Sequence, residues 1–92
     1  MNRIYAECTV EAKVPETKVP RTFAAQFSAE QEQSRKTISR LGGQAITWLG
    51  SDWVSGKNGR TSLHKWAIEC DEVALTALTL TCHSVTLLAK YT

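Results

Sequence analysis

Ninety-two residues, 42% hydrophobic and 22% charged, specify one globular domain (1–92) and exclude a disordered chain or a multidomain enzyme. No apolar run approaches the ~18 residues of a membrane-spanning helix, and the N-terminus MNRIYAECTVEAK lacks a signal-peptide core, so a cytoplasmic location without membrane contact is expected. The net charge of +2 is uneven: residues 33–68 carry Arg35, Lys36, Arg40, Lys57, Arg60 and Lys65 against Asp52 alone, while both flanking segments are mildly acidic, a distribution that steers an anionic partner.

Residues 3–12 alternate. Ile4, Ala6, Cys8, Val10 and Ala12 share one face, and Arg3, Tyr5, Glu7, Thr9 and Glu11 the other. This predicts a strand with one buried face. Pro15 and Pro20 then exclude a central strand or a helix interior, so the segment around them is a loop. The next stretch, TFAAQFSAE, has two readings. Phe23, Ala25, Phe27 and Ala29 alternate as in a strand, which would add a hairpin strand over 21–29. Phe23 and Phe27 also lie four apart, as on an early helix turn. A helix follows in either case: Ser28 with Gln31 makes a capping-box pattern, Glu32 and Lys36 pair one turn apart, and Gly42-Gly43 supply a stop. Its apolar stripe of Phe27, Ser34, Ile38 and Leu41 is thin, which suits a helix lying on a sheet.

Gln44–Cys70 carries the strongest local signal. Two tryptophan-bearing runs flank Asn58-Gly59, and both residues tolerate the positive φ of a type I′ hairpin turn. With those two as turn residues, Val54 faces Leu63, Trp53 faces His64, Asp52 faces Lys65, Ser51 faces Trp66 and Leu49 faces Ile68. Trp53, His64, Trp66, Leu49, Ile68 and Cys70 then share a face, with Ile46 and Trp48 opposite. A bulge at Gly50 would return Ile46 and Trp48 to the same face. Asp71 is a suitable N-cap for a short helix matched by Val73, Ala74, Ala77 and Leu78, although Thr76, Thr79, Thr81 and Thr86 favour strand. The chain ends as a strand with Val85, Leu87, Ala89 and Tyr91 facing inward. The order β-α-β-β-α-β predicts a two-layer α+β sandwich. It resembles the ferredoxin-like fold, an antiparallel sheet with two helices on one face, and that fold by itself licenses no activity.

Few residues suggest chemistry. Cys8, Cys70 and Cys82 form no disulfide framework and read as buried free thiols. With His64 and His83 they also lack metal-ligand spacing, though Cys70 and Cys82 could approach across the second helix, and no metal or cofactor is expected. Cys70 or Cys82 with His64 is conceivable as a nucleophile and base, but no motif selects the pair. His64 beside Asp52 or Glu69 could do acid–base work, although cross-strand pairing or stacking on Trp53 explains the same residues. SGKNGRTS lacks phosphate-loop spacing. What remains is recognition. The leading expectation is a non-enzymatic binding module, a small inhibitor or adaptor, docking on a protein with an acidic surface through Trp48, Trp53, Lys57, Arg60 and Lys65. A homodimer through the open sheet face is a further expectation. The alternative is nucleic-acid binding by Arg35, Lys36, Arg40, Lys57, Arg60 and His64, without the RNP1 pattern, and the weakest is a small ribonuclease with His64 as general base.

Overall fold

The structure, a computed structural model, describes residues 3–13, 22–56 and 59–91, and their side chains except at 55, 56, 59, 60 and 91. Pro15, Pro20, Lys57 and Asn58 lie outside the described residues. The alternation at the N-terminus becomes β1 (Arg3–Ala12), with Ile4, Ala6, Cys8, Val10 and Ala12 all buried. The chain continues through α1 (Phe23–Arg40), β2 (Gln44–Gly56), β3 (Gly59–Cys70), α2 (Glu72–Thr81) and β4 (Ser84–Tyr91). The strands form an antiparallel sheet ordered β2-β3-β1-β4, so the alternating strand β1 sits between β3 and β4. Ile38 of α1 and Ala74 and Leu78 of α2 complete the core with Ile4, Ala6, Cys8 and Val10 of β1 and Trp66, Ile68 and Cys70 of β3. The fold is thus an α+β sandwich of an antiparallel sheet and two helices.

The strand alternative for residues 21–29 gives way to helix. Thr22, with extended backbone, caps α1 by accepting the Ala25 N–H at 3.1 Å. Ser28 lies inside the helix and is not its cap. Alanines in the segment favour helix, and the four-residue spacing of Phe23 and Phe27 fits it. The predicted stop holds: Gly43 N–H reaches the Ile38 carbonyl (3.0 Å) and Gly42 N–H that of Ser39 (3.1 Å), with Gly42 at φ +95. This is a Schellman closure, which needs the left-handed residue that glycine supplies. A Cβ on Gly43 would come within 3.0 Å of Ile38 Cγ2 and 3.2 Å of Leu78 Cδ1, so that glycine lets the two helices meet over the sheet. In α2 the Asp71 carboxylate accepts the Ala74 N–H at 2.8 Å. The threonines that favour strand are absorbed by bonds back along the helix, Thr76 to the Glu72 carbonyl and Thr79 to that of Leu75.

Register departs from expectation in two places. The β2–β3 ladder closes on Gly56 and Gly59, so Gly59 is a paired strand residue rather than a turn residue. Every pair shifts accordingly: Val54 faces Thr61, Trp53 faces Ser62, Asp52 faces Leu63 and Ser51 faces His64. In β4 the register slips between Tyr5 and Ala6 of its partner, so that Val85 and Leu87 pair with Cys8 and Ala6 on the helix side. Leu88 is the extra residue, and Ala89 pairs with Tyr5 on the open side instead of facing inward, while Tyr91, whose side chain lies outside the description, pairs through its backbone with Arg3. The same slip turns Lys90 towards α2, where it meets Glu72 at 2.6 Å.

Candidate docking surface

Strand β2 is built around two irregularities. Trp48 pairs with Trp66 and Gly50 with Lys65, leaving Leu49 as an extra residue. A second slip leaves Ile46 between the pairs Ala45–Ile68 and Thr47–Ala67. Gly50 takes φ +144, a backbone region that side chains other than hydrogen rarely allow. The bulge that Gly50 makes available is therefore present. It places Trp48 on the helix-bearing face, as a regular strand would not, while Leu49 leaves the face assigned to it. There Trp48 meets Phe27 edge-on with ring centres 5.7 Å apart, and Trp53 meets Phe23 at the same separation. The aromatic pairs do not seal the edge. Phe23 is 61% exposed, Ile46 50%, Trp48 39%, Leu49 45% and Val54 49%. Among the described residues β2 is an edge strand, and these side chains line that edge as an apolar strip split between the two sheet faces, with Trp48 and the helix residue Phe23 on the helix-bearing side and Val54, opposite Thr61, on the open side; the bulges guard the edge against indiscriminate strand pairing.

A chain of polar groups runs from this strip into the core. Trp48 Nε1 donates to Ser51 Oγ at 3.3 Å, and Ser51 Oγ lies 2.5 Å from His64 Nδ1. His64 Nε2 lies 3.2 Å from Ser62 Oγ, whose hydroxyl is shared by the Glu30 carboxylate and the Ala12 carbonyl, the latter at 3.2 Å. One proton assignment satisfies the row: Ser51 donates to Nδ1 of a neutral His64, Nε2–H donates to Ser62, and Ser62 donates to Glu30. Burial pushes the His64 pKa below its ordinary value, against the opposing charge of Glu30. Oε1 of Glu30 is buried without a hydrogen-bond partner among the described residues.

This placement corrects the acid–base expectation. His64 is fully buried and packs edge-on against Phe27 (5.6 Å), not against Trp53. Asp52 and Glu69 pair on the opposite face of the sheet, and Glu69 is held by Arg3 at 2.7 Å. His64 touches neither carboxylate, and it does not reach the surface that nucleic-acid binding would use. Glu30, Ser51 and Ser62 were not singled out by sequence reasoning. For Glu30 a signal existed, because it falls at helical spacing between Phe27 and Ser34 on the buried stripe. Ser34 itself earns its place there by accepting the Trp66 indole N–H at 2.8 Å.

The cations whose side chains are described are scattered. Lys57 lies outside the described residues, as does the side chain of Arg60, whose backbone pairs with Ser55. Lys65 is exposed on the open face, 3.8 Å from Glu7, and shares no face with Trp48 or Trp53. Arg35, Lys36 and Arg40 are exposed on α1. Arg35 grips both oxygens of Glu32, which holds that carboxyl below its ordinary range, and Arg40 bonds Thr37 at 3.0 Å.

Elsewhere, a cleft of about 430 Å³ opens where Arg3, Gln44, Glu69, Asp71 and Glu72 converge, but its charges are engaged, Arg3 with Glu69, Glu72 with Lys90, and Asp71 as the cap of α2. Among the described residues no three His, Cys, Asp or Glu side chains are grouped to hold a metal ion, and no helix is long and apolar enough to cross a membrane. Compared with protein-family models, curated proteins and solved structures, the chain matches none.

Proposed function

We propose that the protein is a non-enzymatic docking module of ferredoxin-like fold, a small inhibitor or adaptor, that binds a protein partner through β2 and the start of α1. The observation that carries this reading is the exposed strip of Phe23, Ile46, Trp48, Leu49 and Val54. Five large apolar side chains lie half in water on the two faces of one sheet edge, and the tryptophan among them is a preferred interface anchor. Ile46, Trp48, Leu49 and Val54 belong to the net-positive segment 33–68, and that overall charge, rather than a cation beside Trp48, supports a partner with an apolar patch on an acidic surface. The sheet order β2-β3-β1-β4, with β1 between the strands that bracket α2, supports the ferredoxin-like reading.

The test compares wild type with a Trp48→Ser/Leu49→Ser variant in affinity capture from native-host extract, followed by binding of the purified partner at low and moderate salt. A partner held by wild type and lost by the folded variant supports the assignment of the strip. Equal retention by both proteins refutes it. Labelled oligonucleotides form the control arm, and binding to them that weakens steeply with salt would favour the nucleic-acid alternative.

A further inference from the structure

The sulfur atoms of Cys8 and Cys82 lie 3.0 Å apart, closer than a van der Waals contact between thiols, although the residues are 74 positions apart in sequence. The backbone holds them there. The His83 N–H donates to the Thr9 carbonyl at 3.0 Å, clamping the residue after Cys82 to the residue after Cys8. From that point β4 runs antiparallel to β1, with Thr9 facing Ser84 and Cys8 facing Val85. The two thiols differ in access: Cys8 is buried between β3 and β4, and Cys82, at the C-terminal cap of α2, is partly open to solvent. The third cysteine, Cys70, is buried at the end of β3 and has no such contact among the described residues.

We propose that Cys8 and Cys82 are a reversible thiol–disulfide site that, on reaction with a low-molecular-weight disulfide, bridges β1 to the junction of α2 and β4. This inference is independent of the docking surface. In the first step the Cys82 thiolate attacks one sulfur of the oxidant, the oxidant's S–S bond breaks, and one small thiol leaves after taking up a proton. In the second, Cys8 gives up its proton and attacks the Cys82 sulfur, and the mixed disulfide breaks to release the second small thiol. The protein loses two electrons and two protons, and the oxidant gains both. The order of attack follows from access and from the S–H of Cys8 donating to Cys82, a bond that lowers the Cys82 pKa and, with burial, raises that of Cys8. Closing the bridge needs the sulfurs to approach from 3.0 Å to about 2.05 Å. Because β1 is the strand neighbour of β4 among the described residues, the bridge acts as a latch on an edge strand.

The folded protein is exposed to oxidised glutathione, quenched in acid, denatured and alkylated with N-ethylmaleimide, and its intact mass is measured. The reduced protein takes up three maleimides, one per cysteine. The oxidised protein is expected to take up one and to retain no glutathione, and dithiothreitol restores the full count. Cys70→Ser should go from two maleimides to none, and Cys82→Ser should keep both, with Cys82→Ala replacing it if the serine variant does not fold. Uptake of three maleimides after oxidation overturns the proposal. So does a stable glutathione adduct on Cys82, which would mean that Cys8 cannot resolve it, and so does an intramolecular bridge in the Cys82 variant.

Discussion

Replacing Gly50 with alanine isolates the backbone cost of the bulge on which the aromatic edge depends. A Cβ at Gly50 meets no atom within 4 Å, so the substitution introduces no clash. The backbone, however, sits at φ +144, and holding a residue other than glycine in such a region costs about 1–3 kcal/mol. In a regular strand the sign reverses, because alanine loses less conformational freedom than glycine and gains about 0.5–1 kcal/mol. The sign of the change therefore decides between the two backbones. For a domain of this size each kcal/mol lowers Tm by roughly 4–8 °C, well within reach of calorimetry. The expected outcome is a clear fall in Tm for Gly50→Ala with native circular dichroism retained. An unchanged or raised Tm would refute the bulge, and with it the placement of Trp48 beside Phe27.

Four further outcomes are expected. The unfolded chain takes up a proton on His64 as pH falls through about 6.5, whereas the buried ring resists it, so His64 supports the fold fully above that pH and its contribution is lost below, by at most about 1.4 kcal/mol per pH unit. Urea unfolding of wild type and His64→Gln between pH ~8 and ~5.5 should give a flatter profile for the variant, and parallel profiles would sink the assignment. Leu78→Ala empties a site with no solvent exposure between both helices and the sheet, and should cost about 3–4 kcal/mol in urea unfolding. A double-mutant cycle of Trp66→Phe and Ser34→Ala should show coupling of about 1 kcal/mol through their 2.8 Å bond, and additive losses would deny it. Oxidation of Cys8 and Cys82 closes a loop spanning 74 positions, for which chain entropy alone gives up to about 4.5 kcal/mol, read as a higher urea midpoint that dithiothreitol reverses.

Elements whose signals are local were legible in the sequence. The alternation in β1, the Asp71 cap and the Gly42-Gly43 stop each reflect a few neighbouring residues, and each stands where the pattern put it. Register was less legible, because it depends on insertions of a single residue. Strand side chains repeat every two residues, so the extra Leu88 moves Ala89 to the opposite face from Val85 and Leu87. No residue type at 88 announces this. In the hairpin, glycines at 56 and 59 close the ladder as readily as Asn58-Gly59 would close a turn, so composition did not choose between registers two residues apart. Among the candidate site residues, the face of Trp53 was legible from strand alternation, whereas that of Trp48 depended on the Gly50 bulge. Glu30 had the spacing of the buried stripe, but its charge argues against burial until Ser62 and His64 are seen to converge on it.

The aromatic edge and the thiol pair lie on different strands of the sheet, β2 and the β1–β4 side, with β3 between β2 and β1. No described hydrogen bond joins them, and the residue they share is Trp66 of β3, which pairs with Trp48 on one side and with Cys8 on the other. The strip on β2 is fixed by its own bulges and by the row from Trp48 through Ser51 and His64 to Ser62 and Glu30, none of which touches Cys8 or Cys82 in a described hydrogen bond. The latch is fixed by the His83–Thr9 bond and the register of β4. Removing Cys82 is therefore expected to leave the proposed docking by the edge intact, and removing Trp48 and Leu49 to leave the thiol count after oxidation unchanged. If both substitutions altered both readouts with the fold retained, the coupling would run through Trp66, which pairs with Trp48 and with Cys8; with the fold lost, the cause would be the core they both border.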